Sequence, residues 1–411
     1  MRFSIRMFSR RDIVAMVARH AVALACLTML AAPTSVLAAD PATHFVWFGT
    51  YTNQKTASEG IYVARFAAAS GTVSAPEVAA VAKNPSFLAL HPRLPVLYAV
   101  SEAPGPDGKP AGAVMAYAID PATGHLTLLN HQSSGGSGPC HLSVDRSGKV
   151  VVAANYGGGS TVCLGIAADG SLEPVVAGEP GGFIQHAYDR AGEAGINSKR
   201  QEKPHGHSAD IAADGRFAFV CDLGLDEVLV YALDTDQATI RPHGSATVKA
   251  GAGPRHFALH PGGKHAYCVN ELDLTVTAFD LDPQAGTLTP IQSLSTLPEG
   301  SADRTGFSCA EIAVHPSGRF LYASNRGHDT IAVYGIDAAT GTLSFQAAAP
   351  AQVQTPRHFA IAPDGRHLLT EGQNSNTVAI FSIDPETGML EFTNRTLAVP
   401  APVSAVFRSL P

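Results

Sequence analysis

Four side chains of chemically active types end or begin apolar runs in the second half of the sequence: His207, Arg255, Glu271 and Arg326. The runs around them are rich in Val, Ala, Leu, Tyr and Phe, so polarity is concentrated at one end of each predicted strand. An imidazole and a carboxylate can act as general acid and base. Two guanidiniums bind anions and stabilise a developing oxyanion. The set therefore predicts chemistry on an anionic or oxyanion-forming substrate.

Each of these residues also has a structural interpretation. An Arg and a Glu at strand ends frequently form an ion pair between neighbouring elements. A histidine such as His207 can be a hydrogen-bonded residue of a rim. The combination on one small concave surface is more specific than any single member, and we therefore favour a functional site.

Internal repeats supply the elements that position these residues. The first repeated signature is a short apolar strand that ends in a turn, and a second strand follows it. Clear copies begin at Pro85, Pro254, Cys309 and Pro356, and looser copies begin at Pro139, Gly206 and Pro402. The sequence thus contains seven copies.

The second signature is a hairpin turn that an Asp opens and a Gly closes. It spans residues 120–124, 282–286, 337–341 and 384–388, with shorter relatives that end at Gly71 and Gly170 and a degenerate copy at residues 234–238. The count is again seven. Four short strands in a repeat of roughly 45 to 55 residues are typical of a β-propeller.

The predicted fold is all-β, a seven-bladed β-propeller with four-stranded antiparallel blades over residues 39–411. The last strand, residues 402–407, matches the first strand of a repeat, whereas residues 44–81 supply the other three. A blade built from both chain ends would close the ring and remove two sheet edges.

Antiparallel pairing places the start of each innermost strand and the end of the next strand at one mouth of the central channel. Alignment of the repeats on these two positions brings His207, Arg255, Glu271 and Arg326 to adjacent sectors of that mouth. Five further polar residues at or beside the same positions are predicted to bind substrate: Glu102, Asn155, Asn270, Asn325 and Arg357.

The N-terminus is interpreted as an export signal over residues 1–38. Arginines at positions 2, 6, 10 and 11 precede an apolar run at residues 21–32 and a small-x-small pattern at residues 36–38. Residues 9–14 resemble a twin-arginine signal, which predicts a bacterial protein in the periplasm or secreted. The alternative is an uncleaved anchor. The run is short for a membrane span, and we expect no stable membrane insertion after cleavage.

Composition excludes several classes of partner and cofactor. The chain of 411 residues is 45% hydrophobic and 15% charged, and its formal net charge is −7, without a basic stripe that would bind nucleic acid. Cleavage would leave five scattered cysteines and no C-x-x-C motif, so no disulfide framework is predicted. His205 and His207 bracket one residue, but two further metal ligands are not evident. We expect a monomer that needs neither metal nor cofactor.

Several segments resemble the propeller lactonase family, which includes bacterial 6-phosphogluconolactonase and the fungal carboxy-muconate lactonising enzyme. The matching segments cover essentially the whole mature chain: residues 49–52, 84–88, 204–207, 254–257, 267–272 and 321–326. The resemblance implies lactone hydrolysis, with His207, Arg255, Glu271 and Arg326 as site residues. Extra residues at about 187–195 and the export signal depart from the family pattern and bear on which lactone is the substrate; export favours an unphosphorylated one.

The expected mechanism gives Glu271 the role of general base on an attacking water. Arg255 and Arg326 would bind the anionic group and the oxyanion, and His207 would protonate the leaving ring oxygen. Two alternatives remain at this point. One is a cycloisomerase that closes an unsaturated diacid to a lactone, and the other is a non-catalytic exported propeller that binds a protein.

Overall fold

The computed structural model describes residues 43–52, 56–104, 111–189, 197–301 and 304–409, all within one compact unit, Pro41–Pro411. The predicted export signal and its cleavage site lie outside the described residues. The described ranges form strands and turns, and they contain no helix long and apolar enough to cross a membrane.

The strands of the described residues form seven antiparallel sheets, here called blades I to VII. Blade I contains β1 (Thr43–Thr50), β2 (Gly60–Ala67), β3 (Thr72–Val73), β4 (Glu77–Val81) and, from the other chain end, β29 (Pro402–Ser409). Blade II contains β5 (Leu88–Leu90), β6 (Val96–Ser101), β7 (Ala113–Ile119) and β8 (Leu126–Ser133). Blade III contains β9 (Pro139–Val144), β10 (Val150–Asn155), β11 (Ser160–Gly165) and β12 (Phe183–Gln185).

The remaining four blades follow the same order. Blade IV contains β13 (Gly206–Ile211), β14 (Phe217–Asp222), β15 (Glu227–Asp234) and β16 (Thr239–Thr247). Blade V contains β17 (Pro254–Leu259), β18 (His265–Asn270), β19 (Thr275–Asp282) and β20 (Thr287–Ser295). Blade VI contains β21 (Ser308–Val314), β22 (Phe320–Arg326), β23 (Thr330–Ile336) and β24 (Leu343–Pro350). Blade VII contains β25 (Pro356–Ile361), β26 (His367–Gly372), β27 (Thr377–Ile383) and β28 (Leu390–Ala398).

The innermost strands form a closed ring around the channel. Each of them contacts the innermost strand of the next blade, and β29 lies between β25 and β5. Within blade I, β29 pairs antiparallel with β1 along its length, so the two chain ends share a sheet. The predicted seven-bladed propeller and its closure by both termini are therefore confirmed.

Apolar packing between neighbouring blades forms the core. The second strands β10, β14 and β18 are buried at every position, because blades cover both of their faces. Such strands read as continuous apolar runs rather than as alternating ones. Between blades IV and V, for example, Phe219 stacks on Phe257 at 5.3 Å between ring centroids, and Phe279 joins the same cluster.

Hydrogen bonds join each of four second strands to the outer hairpin of the following blade. The hydroxyls of Tyr98, Tyr267 and Tyr322 donate to the carbonyls of Gly170, Gly341 and Gly388 at 2.7–3.0 Å, and the Trp47 indole donates to Gly124. These glycines close the Asp…Gly hairpins with positive φ, between 68° and 87°. The second repeated signature therefore marks the contacts between blades as well as the turns.

Candidate active site

β-Bulges aim the polar residues of the innermost strands into the channel. In β13, Gly206 pairs with Asp222 and Ser208 pairs with Cys221, which leaves His207 as the extra residue. The same one-residue shift leaves four other residues unpaired: Cys140 in β9, Arg255 in β17, Arg357 in β25 and Val403 in β29. A bulge bends its strand and redirects a side chain. The polar residues that the alignment placed at the starts of innermost strands, His207, Arg255 and Arg357, are thus bulged residues.

A left-handed residue directly before a proline leads into most of these strands. Positive φ occurs at Asn84, Gly138, Gly253, Thr355 and Ala401, each of which precedes a Pro. At Gly253 a Cβ atom would lie 2.7 Å from Cγ of Leu272, so both the backbone angle and the close approach favour glycine. The Glu271 N–H donates to the Gly253 carbonyl at 2.7 Å, which links this turn to the site.

The mouth contains a cavity of about 440 Å³, within the size range of small-molecule sites. Its lining comes from blades II to VII and from the long connection before β13. The lining residues are Glu102, Gly138, Cys140, Tyr156, Gly157, Arg200, His207, Glu271, Arg326 and Arg357. Of the four predicted catalytic residues, three line the cavity and Arg255 lies directly behind Glu271.

Three guanidiniums share the Glu271 carboxylate. Its Oε1 lies 2.8 Å from Nη2 of Arg200 and 3.2 Å from Nη2 of Arg326, and its Oε2 accepts from Nε of Arg255 at 3.0 Å. Burial alone would raise the pKa of Glu271, but Arg326, Arg255 and Arg200 together lower it to about 2. The carboxylate is therefore ionised throughout the physiological pH range.

Backbone carbonyls of β21 orient two of these arginines. Nη1 of Arg255 donates to the Ala310 carbonyl at 2.5 Å, and Nη2 of Arg326 donates to the Cys309 carbonyl at 2.8 Å. Burial and the neighbouring Arg357 and Arg326 charges lower the pKa of Arg255 to about 9, which leaves it protonated at neutral pH. The cations are thus held in place before any ligand arrives.

His207 is buried beside this group. Its Nε2 lies 3.9 Å from Oε2 of Glu271, and its Nδ1 lies 3.7 Å from Sγ of Cys140. Burial, followed by the Arg255 charge, holds the pKa of His207 well below its ordinary value. His207 is a neutral imidazole at pH 7. Burial also raises the pKa of Cys140 to about 12, so its thiol is not a nucleophilic thiolate.

A second polar group surrounds Glu102 and Arg357. The Tyr51 hydroxyl donates to Oε1 of Glu102 at 2.9 Å, and the Ser86 hydroxyl donates to the same oxygen. The Arg357 guanidinium lies over the Tyr51 ring, 5.4 Å from its centroid. Two of the five predicted substrate-binding residues, Glu102 and Arg357, are therefore at the cavity.

The three predicted asparagines are not among the cavity residues. Asn155 donates to the Ser134 carbonyl at 2.9 Å, Asn270 donates to Thr275 at 2.8 Å, and Asn325 donates to the Thr296 carbonyl at 3.1 Å. They tie strand ends to adjacent loops. Asn325 and Arg326 are successive residues of β22 and point to opposite faces, whereas Asn270 is the last residue of β18 and its amide bonds to β19. We accordingly assign these asparagines no contact with substrate.

Arg200 and Tyr156 are site residues that the sequence did not single out. Nη2 of Arg200 donates to the Tyr156 hydroxyl at 3.0 Å as well as contacting Glu271. Tyr156 directly follows β10, at the position that the alignment of the repeats compares with Glu271, and its polar hydroxyl there was the available signal. Arg200 lies in the insertion before β13, where the repeats provide no register.

Rings and carboxylates fill the channel immediately below the mouth. Three histidines that follow bulged residues, His141, His256 and His358, form this floor together with Phe87 and Glu311. The Phe87 ring lies 4.1 Å from that of His141, and Oε2 of Glu311 lies 3.0 Å from Nδ1 of His256 and 3.4 Å from Nε2 of His358. The His256 ring is 5.3 Å from that of His207. Among the described residues, no group of three or more His, Cys, Asp or Glu side chains is arranged to hold a metal.

A separate set of hydrogen-bonded side chains, Thr161, His186 and Asp222, resembles a catalytic triad but is closed to substrate. Nδ1 of His186 lies 2.6 Å from Oδ2 of Asp222, and its Nε2 lies 2.9 Å from the Thr161 hydroxyl. Both the His186 and the Asp222 side chains have no exposed surface. This set of side chains holds the connection before β13 against blades III and IV, and we assign it a structural role.

Comparison with known proteins adds an independent line of evidence. The model of a family described as lactonase, 7-bladed β-propeller, matches residues 45–407. A 6-phosphogluconolactonase of Bacillus subtilis is 36% identical over 313 residues, which cover 76% of this chain and 83% of that protein. A 6-phosphogluconolactonase of Formosa agariphila is 32% identical over 320 residues, 77% of this chain and 85% of that protein.

Solved structures give the same result. A putative 6-phosphogluconolactonase of Bacteroides uniformis superposes with a TM-score of 0.79 at 32% identity, covering 89% of this chain and all of that one. A periplasmic gluconolactonase of Pseudomonas aeruginosa superposes with a TM-score of 0.79 at 31% identity, covering 90% of this chain and all of that one.

Proposed function

The chain belongs to the seven-bladed β-propeller lactonase family and is a lactone hydrolase, and we propose that it opens a sugar lactone to the free acid at the mouth built around Glu271. The observation that carries the proposed site is the neutral imidazole of His207 beside a carboxylate that binds three guanidiniums. A base, a counter-charge and oxyanion donors are thereby assembled in one cavity.

Burial and neighbouring charges reverse the roles of base and acid that the sequence predicted for Glu271 and His207. A carboxylate with a pKa near 2 is a weak base, because its three cations stabilise the ionised form. An imidazole whose pKa is well below its ordinary value is neutral at pH 7, so it lacks the acidic imidazolium proton that a general acid donates. In the proposed mechanism His207 is therefore the base, and Glu271 stabilises the imidazolium that forms.

The proposed reaction proceeds in two steps. His207 removes a proton from water while the water oxygen attacks the lactone carbonyl carbon, and the carbonyl oxygen becomes an oxyanion next to Arg326. Collapse of this intermediate breaks the bond between the carbonyl carbon and the ring oxygen, and the His207 imidazolium returns its proton to that oxygen. Water is added across the ester bond, and no other reactant is consumed.

Positioned donors account for much of the expected rate. General acid–base catalysis contributes about a hundredfold to ten-thousandfold, and one oxyanion donor contributes a similar factor. Arg326 is the donor that lines the cavity, whereas Arg255 is fully buried and acts through Glu271 as a positioning residue. Lactones already hydrolyse slowly in water without a catalyst, so rate factors of this size are sufficient for an enzyme that hydrolyses them.

Location and assembly remain part of the proposal. Residues 1–38 have the order of charge, apolar run and small residues of an export signal, and a similar solved structure is a periplasmic gluconolactonase. We propose that the chain acts as a monomer outside the cytoplasm, in the periplasm or secreted, on a small lactone and without a cofactor.

The test is hydrolysis of glucono-1,5-lactone and 6-phosphogluconolactone by the purified protein, corrected for spontaneous opening. His207→Gln and Glu271→Gln are expected to lower kcat/KM by at least about a hundredfold while the protein stays folded by circular dichroism. Cys140→Ser is the matched control at the same mouth, because its protonated thiol has no catalytic part in the proposal.

Two results would contradict the proposal. One is full activity in His207→Gln. The other is no turnover of any lactone in a panel, together with loss of muconate absorbance, which would indicate a cycloisomerase instead.

A further inference from the structure

The geometry points to Arg200 as the residue by which this site selects lactones that carry an anionic group, an inference that rests on the proposed lactone hydrolysis. Neither the repeats nor the family resemblance indicated this residue. Its contacts, its exposure and the charge balance of the mouth support the assignment.

Arg200 is the outermost of the three cations on Glu271. The exposed fraction of its side chain is 39%, against 14% for Arg326 and 2% for Arg255. A guanidinium has five N–H donors in a fork. Arg200 therefore holds the carboxylate with one edge while part of its surface faces the solvent of the mouth, where an incoming ligand first makes contact.

The backbone that carries Arg200 is firmly anchored. The Gln201 side chain is fully buried, donates to the Leu223 carbonyl and to Asp226 at 2.8 Å, and accepts from the Asn197 N–H at 2.7 Å. The Tyr188 hydroxyl donates to the Gln201 carbonyl at 2.6 Å. This anchoring fixes the backbone next to Arg200, so its guanidinium is placed at the mouth as part of the fold.

The charges of the mouth leave an excess of cations. Among the described residues that line the cavity, three are arginines, Arg200, Arg326 and Arg357, and two are carboxylates, Glu102 and Glu271, while the imidazole of His207 is neutral. Behind them, the buried Arg255 contacts Glu271 and also interacts with the charge of Glu311 in the floor. A neutral lactone would leave this excess uncompensated in a largely buried site. A phosphate monoester or a carboxylate on the substrate would compensate it, and both match the fork geometry of arginine.

A purely structural role for Arg200 predicts something different. If Arg200 only neutralised Glu271, its loss would disturb the base and the oxyanion donors alike. Turnover of charged and neutral lactones would then decline by the same factor. The ratio between two substrates therefore separates substrate selection from support of Glu271.

The experiment compares wild type, Arg200→Gln, Arg200→Lys and the control Lys199→Gln. Lys199 is exposed, lies next to Arg200 and does not line the cavity, so its substitution removes the same charge from the same segment. For each variant, kcat/KM is measured for 6-phosphogluconolactone and for glucono-1,5-lactone. Calorimetry measures the Kd of the products 6-phosphogluconate and gluconate, which requires no turnover.

In Arg200→Gln the ratio of kcat/KM for the phosphorylated over the neutral lactone is expected to fall by about 10- to 150-fold, the effect of one charge-assisted hydrogen bond. The Kd of 6-phosphogluconate should rise by a similar factor. For Arg200→Lys, both the ratio and the Kd should lie between the values of wild type and of Arg200→Gln, because lysine keeps the charge and loses the fork of donors. Lys199→Gln should keep the wild-type ratio.

An unchanged ratio together with an unchanged Kd of 6-phosphogluconate in Arg200→Gln would overturn the inference. Failure of the proposed function is visible separately, since wild type would then hydrolyse neither lactone. In that case the calorimetry still decides whether Arg200 binds the anion. Replacing phosphate by carboxylate, with a glucarolactone, distinguishes which anionic group the mouth prefers.

Discussion

Glu271 illustrates how neighbouring charges decide what one side chain can do. A lone buried carboxylate would have a raised pKa and could act as a base near neutral pH. Three guanidiniums reverse this effect and lower its pKa to about 2. Burial, followed by the Arg255 charge, lowers the pKa of His207, yet a neutral imidazole still has a lone pair available for water. The proposed proton transfer at this site therefore depends on His207.

The pH dependence of kcat/KM tests this assignment at the level of the residue. A base acts when it is unprotonated, and the pKa of His207 is held well below 6.5, so activity should stay constant from pH 8 through pH 6.5 and decline only at lower pH. The measurement is initial rate against pH with low substrate. An acidic limb centred at or above pH 6.5 would contradict the neutral imidazole, and His207→Gln should abolish the limb.

The innermost strand is the element that builds the site. In blades III, IV, V and VII this strand passes a bulge at the mouth and then pairs regularly with the second strand. The bulge allows two successive residues to face the channel, for example Arg255 at the mouth and His256 in the floor. A regular strand would send one of the two into the contact between blades.

Substitution of one turn glycine tests how the element positions the site. Gly253→Ala would add a Cβ at φ 66°, 2.7 Å from Leu272, and should cost about 1–3 kcal/mol of unfolding free energy and shift Arg255. Gly263→Ala is the matched control, because its φ is 72° and nothing lies within 4 Å of the added atom.

The control variant Gly263→Ala should lose about 1 kcal/mol of unfolding free energy and keep the wild-type kcat/KM. Denaturant unfolding and lactone turnover measure the two effects. Equal loss of activity in both variants would show that the close approach at Gly253 does not matter for the site.

For the whole molecule, we expect folding to depend on closure of the ring by the two chain ends. β29 supplies the innermost strand of blade I and contacts the innermost strands of blades II and VII. Without it, β1 becomes an open sheet edge and the apolar residues Val46 and Phe48 lose their cover. No other strand of the propeller is free to pair with the edge of β1 or to cover Val46 and Phe48, since each described strand already belongs to a blade.

Deletion of residues 402–411 is therefore expected to abolish cooperative folding and lactone turnover. The control deletes residues 410–411 only and retains the whole of β29. Thermal unfolding and the soluble yield report the outcome. A soluble, cooperatively unfolding protein without residues 402–411 would show that closure is not required.

The repeated signatures were enough to predict the ring and most of the charged residues at its mouth. Two independent signatures each occur seven times, and antiparallel pairing then fixes which strand ends share one face. That register was sufficient to place His207, Arg255, Glu271, Arg326, Glu102 and Arg357 together, because strand direction is a property of the repeat.

The remaining features of the site depend on contacts between residues that are distant in the chain. Asn155, Asn270 and Asn325 bond to adjacent strands and loops instead of lining the cavity, while bulges turn residues of the innermost strands toward it. Arg200 reaches Glu271 from outside the repeats. The roles of His207 and Glu271 follow from charges that are close in space and distant in the chain, and no repeat register contains those distances.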